Sequence, residues 1–184
     1  MAKYGVLIGR FQPLHLGHQM FINEILIDGL TPIILIGSVN KNRDKIKNPL
    51  SYKKRKKLIK LVYPNIDIKI KPLKDDKDWD KWFSNIEKVL MKFSKKREDF
   101  CFYVFNKESD RYDEFLFKGR IYKNEFYTKI FEDEGYKVKN VKFSNLEKLQ
   151  IKINATDIRN NLEENKLFLD PRVYKKLKEL KIFL

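Results

Sequence analysis

Short apolar runs and helical patterns take turns along this chain, and that alternation restricts it to few architectures. "YGVLI" (4–8), "PIILIG" (32–37), "IDIKI" (66–70), "FCFYVF" (100–105) and "KVKNVKF" (137–143) read as strands. Between them, helical spacing unites Phe21, Ile22, Ile25 and Leu26, closed by Gly29. It also unites Leu58, Ile59, Leu61 and Val62 after Ser51, and the run Trp79, Trp82, Phe83, Ile86, Val89, Leu90 and Phe93 over 79–94. Strand–helix alternation over the first 145 or so residues predicts a Rossmann-like, doubly wound parallel α/β sheet covered on both faces. The segment from Asn106 to about Glu125 has no clear pattern, and a helix then reaches Glu134. Two more helix starts, Thr156 and the Asp170–Pro171 pair, give a small C-terminal helical part over about 155–184. The whole chain, 1–184, is expected to be one domain.

No stretch of about 18 apolar residues occurs, so no membrane span is expected. The N-terminal apolar run is too short for a secretory signal. The single cysteine, Cys101, excludes an intramolecular disulfide and fits a reducing compartment, so a cytoplasmic location is expected. The formal net charge of +15 comes mostly from lysines spread over nearly every segment. That dispersion speaks for compositional bias over a single nucleic-acid face, although small anions gain from the field. Polymeric nucleic acid is therefore not expected as the main partner.

In a sheet of this kind ligands gather beyond the carboxyl ends of the strands, near the switch in strand order. There lies "GRFQPLHLGH" (9–18), which holds both histidines of the chain. Gly9 lets backbone come close to a ligand, Arg10 adds a permanent charge, and the following helix N-terminus favours anions. His15 and His18 stand three apart and can point one way, with Gly17 leaving space between them. Imidazole N–H groups so placed suit a polyphosphate whose charge shifts during reaction. A zinc site would need further ligands that the chain does not offer nearby. Two incidental surface histidines remain the plain alternative.

"GRFQPLHLGH" resembles the HxGH signature of the nucleotidylyltransferase superfamily. The form is that of nicotinamide mononucleotide (NMN) adenylyltransferases of the archaeal type, shared by the N-terminal half of certain Nudix-fused bacterial enzymes. "IGSVNKNRDKIKNPLSYKKRKKLI" (36–59), "KDDKDWDKWFSNIEKV" (74–89) and "INATDIRNNL" (153–162) resemble the family's other segments in the same order. No Nudix half is expected after Leu184.

The resemblance implies that AMP passes from ATP to NMN, giving NAD and pyrophosphate with Mg²⁺ as cofactor. By that resemblance His15, His18 and Arg159 are catalytic. Gly9, Arg10, Phe11, Gln12, Thr156, Asn48 and Arg55 bind nucleotide, and Trp82 stacks on the nicotinamide ring. The protein's own residues leave alternatives open. Arg159 and Thr156 also fit a plain helix start, "KKRKK" (53–57) a wetted helix face, and Trp82 a core position beside Phe83 and Ile86. Two departures stand out: Lys54 replaces the family's Glu before the arginine, and Asn154 replaces Ser in the C-terminal motif. "NKESD" (106–110) only loosely matches the family. Transfer of another nucleotide is the nearest rival, and enzymes of the archaeal type suggest a homo-oligomer.

Overall fold

A computed structural model describes residues 1–44, 46–106, 111–141 and 153–181. Five parallel strands form the central sheet: β1 (Tyr4–Gly9), β2 (Thr31–Ile36), β3 (Lys69–Pro72), β4 (Phe100–Val104) and the last, β7 (Lys137–Asn140). Their spatial order is β3-β2-β1-β4-β7, so the chain steps outward in one direction from β1 and then returns to its other side. The switch falls between β1 and β4, and it opens a crevice at their carboxyl ends.

Period-2 alternation sorts the strand side chains onto two faces. Leu7, Ile34, Ile36, Cys101 and Tyr103 enter one core, where α1 (Leu16–Ile27) adds Ile22 and Ile25 and α2 (Tyr52–Val62) adds Leu58 and Ile59. Val6, Ile33, Leu35, Phe100, Phe102 and Val104 enter the other, where α3 (Trp79–Leu90) brings Phe83, Ile86 and Leu90 and α4 (Lys129–Asp133) brings Ile130 and Phe131. Two later helices, α5 (Ala155–Asn160) and α6 (Pro171–Glu179), pack Ile158, Val173 and Leu177 into the first core. The doubly wound arrangement expected from the sequence is the one found.

The differences are local. The third strand begins at Lys69 and not at Ile66, because pairing with β2 starts at the Ile33–Lys69 register and leaves Ile66 exposed. The segment without a pattern contains an antiparallel hairpin, β5 (Arg111–Phe117) and β6 (Arg120–Phe126). Its two-residue turn is Lys118–Gly119, with φ of +48° and +75°. Such a turn favours strand twist, but Lys-Gly is a weaker sequence cue than Asn-Gly. The predicted start at Thr156 moves to Asn154, whose side chain accepts the Thr156 N–H at 2.9 Å and caps α5. Asp170 caps α6 with Pro171 at its first position, as expected. The end of the predicted 137–143 strand and most of "NKESD" lie outside the described residues.

Candidate active site

The loop between β1 and α1 is shaped by side chains that bond to its own backbone. His15 is the N-cap of α1: its Nδ1 accepts the His18 N–H at 3.4 Å, and His18 Nδ1 accepts the His15 N–H at 3.4 Å. Two imidazoles thus take the places of the Ser and Glu of a capping box. An Nδ1 that accepts cannot carry the proton, so this pattern assigns the proton of each neutral ring to Nε2. The rings lie 3.8 Å apart, and His18 stacks on buried Phe11 at 4.4 Å. Burial, and then the neighbouring His15, hold the His18 pKa well below the ordinary value for imidazole.

Glycines permit this crowding. A Cβ on Gly17 would stand 3.1 Å from the His15 ring, so the space it leaves is filled by an imidazole. A Cβ on Gly9 would meet the Phe11 ring at 3.0 Å. Phe11 itself holds φ at +53°, in the left-handed region, which costs energy for a non-glycine residue and recurs at functional sites.

Gln12, expected among the nucleotide-binding residues, has both ends of its side-chain amide bonded within the protein. It is 2% exposed; its Nε2 donates to Leu50 O and its Oε1 accepts the Leu50 N–H, both at 2.9 Å. Its amide therefore staples the histidine loop to the segment before α2. Arg55 is likewise not on a wetted face. It is 2% exposed, and Nη1 donates to Arg10 O and Gly37 O at 2.7 Å each, joining the carboxyl ends of β1 and β2.

Arg159 closes the third side. Nε donates to Ile46 O at 2.6 Å, Nη1 to Gln12 O at 2.7 Å and Nη2 to Thr156 Oγ1 at 2.9 Å. A guanidinium has five N–H groups, so these bonds use three. Burial is the first cause that pulls both Arg55 and Arg159 below the ordinary guanidinium range, and the exposed Arg10 charge lowers both as well. Three cations thus converge near the histidine turn. Asn48 is half-buried nearby in sequence, and its buried Oδ1 has no partner among the described residues.

Trp82 sits on α3, half-buried, in edge contact with Trp79 (5.5 Å) and Tyr127 (5.7 Å) and tilted against Phe131 (6.0 Å). The start of α3 follows the carboxyl end of β3, which puts this aromatic group on the same edge of the sheet as the histidine turn.

The cytidylyltransferase-like family model matches residues 6–161. The chain belongs to that family. A nicotinamide-nucleotide adenylyltransferase from Methanolobus tindarius is 40% identical over 81 residues, covering 43% of this chain and 46% of that protein. Two crystal structures of a bifunctional NMN adenylyltransferase/ADP-ribose pyrophosphatase from Francisella tularensis superpose with TM-scores of 0.73. One, complexed with AMP and a manganese ion, is 26% identical, covering 98% of this chain and 49% of that one. The other is 25% identical, covering 100% of this chain and 52% of that one. This cytidylyltransferase-like chain thus spans about half the length of the relatives it matches.

Three residues beside the histidine turn, Ser38, Asn40 and Asp75, carried no clear mark in the sequence. Asp75 accepts the Ser38 N–H at 2.9 Å and the Ser38 hydroxyl at 2.7 Å, while Asn40 exchanges bonds of 2.8 and 2.9 Å with the Asp75 backbone. This brace fixes the loops after β2 and β3, and it holds Ser38 at φ +55°. The cue was a Ser and an Asn just after Gly37, the residue that follows β2. Among the described residues no three His, Cys, Asp or Glu side chains converge to hold a metal. Nor is any helix among them long and apolar enough to cross a membrane.

Proposed function

We propose that this chain transfers AMP from ATP to NMN, forming NAD and releasing pyrophosphate. One observation carries the reading: two imidazoles, each accepting through its Nδ1 at the N-terminus of α1, stand together at the sheet's switch point, with His18 held in its neutral form. Neutral donors at a helix N-terminus suit phosphate oxygens. His18, held neutral, bonds the triphosphate without adding a charge beside the His15 ring 3.8 Å away.

In the reaction an oxygen of the NMN phosphate attacks the α-phosphorus of ATP in line. The bond from that phosphorus to the oxygen bridging to the β-phosphate breaks, and pyrophosphate leaves with the electron pair. The nucleophile is already an anion, so the chain has to orient and to stabilise charge; no covalent adduct with it is needed. His15 and His18 serve the α- and β-phosphate oxygens, where charge moves as the bond breaks. Arg10, and the N–H groups of Arg159 that its three bonds leave over, serve the departing end. Phe11 keeps the His18 ring in plane, and Gln12 and Arg55 hold the loop. Mg²⁺ enters as the MgATP substrate, since magnesium in such sites rides largely on phosphates and water. Trp82 offers a flat, electron-rich face to the cationic pyridinium of NMN.

The test is incubation with MgATP and a panel of phosphate acceptors (NMN, nicotinate mononucleotide, phosphopantetheine, glycerol phosphate), with CTP as rival donor. Pyrophosphate release and product mass are read. NAD formation from NMN is expected, and His18→Ala should lower its rate on the order of 10²- to 10⁴-fold with folding intact. Turnover with another donor–acceptor pair but not with NMN would overturn the reading.

A further inference from the structure

The hairpin that the sequence did not disclose is fastened to the aromatic group at the start of α3. At its turn, the Lys118 N–H donates to Asp80 Oδ1 at 2.7 Å, in the first turn of α3. At its base, Thr128 Oγ1 donates to Asn106 Oδ1 at 3.1 Å, with Thr128 buried. Along one face, Phe117 packs edge-on against Phe83 at 5.2 Å, and Tyr122 donates to Asp133 of α4 at 2.8 Å. The hairpin therefore bridges α3 and α4.

Trp79 is where the hairpin meets Trp82. Its ring lies 5.2 Å from Tyr112 and 5.1 Å from Phe115 on β5, 6.1 Å from Tyr127 just beyond β6, and 5.5 Å from Trp82. The Trp79–Trp82 and Trp79–Tyr112 pairs are near perpendicular, at 88° and 89°, so rotation of either neighbour drives an edge into a ring. Among the described residues, Tyr127 and Phe131 are the further ring partners of Trp82. Trp79 is thus one of the rings that fix the plane of Trp82, and the hairpin holds Trp79 through Tyr112 and Phe115.

We infer that the β5–β6 hairpin, acting through Tyr112 and Trp79, determines selectivity for a flat cationic acceptor by fixing the Trp82 ring plane. Trp79 is a positioning residue that does not touch the acceptor. The inference rests on the adenylyl-transfer reading above. Attraction of a pyridinium to an indole depends on charge and on face-to-face approach, so a tilted platform loses preference for the cation. ATP, at the histidine turn, does not sense this tilt.

The experiment compares NMN with its reduced, uncharged dihydropyridine form as acceptors, and measures KM for each and for ATP. Trp79→Ala should raise KM for NMN about fivefold to thirtyfold, with KM for ATP within about twofold of the parent value. The preference for NMN over the reduced form should shrink, and Trp79→Phe should recover most of it. Tyr112→Ala changes an exposed side chain, so it keeps the test open if Trp79→Ala does not fold; it should raise the NMN KM about threefold to tenfold. Equal increases for ATP and NMN, or an unchanged preference between the two acceptors, would overturn the inference. Failure of the parent protein to make NAD would sink the catalytic reading with it. NAD synthesis with an unmoved acceptor preference would sink the hairpin's role alone.

Discussion

His18 concentrates most of the local physics in one ring. It caps its own helix, stacks on Phe11 and lies 3.8 Å from His15, and burial disfavours its charged form. Protonation at Nδ1 would turn an acceptor into a donor facing the His15 N–H, so the folded chain resists it. The unfolded chain binds the proton near the ordinary value of about 6.5, whereas the folded chain binds it only well below. Between these two values the unfolded state holds more protons, so stability falls as pH is lowered through that window. Titration of the His18 Cε1 proton by NMR in the ligand-free protein should give a midpoint well under 6.5, with the neutral Nε2–H tautomer above it. A midpoint at or above 6.5 would contradict the desolvated, neutral ring.

Elements are joined around the site by side-chain-to-backbone bonds, and here the sequence was least explicit. The alternation of strands and helices, the Ser51 and Asp170 caps and the turn after β1 were legible, because period and capping chemistry are local properties. That Gln12 would pair with Leu50, or Arg55 with two carbonyls 45 and 18 residues away, was not legible, because such partners are set by the fold. The hairpin escaped for a different reason: only Phe115, Phe117 and Tyr122 of it are buried, too few to give a clear alternation. Gln12→Ala checks the staple, since it leaves both the N–H and the C=O of Leu50 without their buried partner. The expected loss is about 1–3 kcal/mol of stability by chemical denaturation. Any weakening of ATP binding should follow from a loosened loop and not from a lost ligand contact. If the variant were as stable as the parent while ATP binding collapsed, Gln12 would instead be a ligand contact.

Across the whole molecule, one edge of the sheet assembles two unlike surfaces. The histidine turn, Arg10, Arg55 and Arg159 make one end cationic, and the tryptophans with the hairpin make the other aromatic. Family membership follows from a match over residues 6–161, and both ends lie at the carboxyl edge of the sheet, where the strand order switches. The positive charge spread over the surface is compatible with phosphate-bearing substrates, but it is the buried guanidinium groups and the paired imidazoles that give the cationic end its geometry. The central claim is that the turn after β1 cradles a triphosphate through two imidazole Nε2–H donors. A crystal structure with a non-hydrolysable ATP analogue and NMN tests it most directly. The account predicts both Nε2 atoms within about 3.2 Å of phosphate oxygens, with Nδ1 still bonded to the helix backbone. A triphosphate bound elsewhere, or imidazoles turned away from it, would contradict the account.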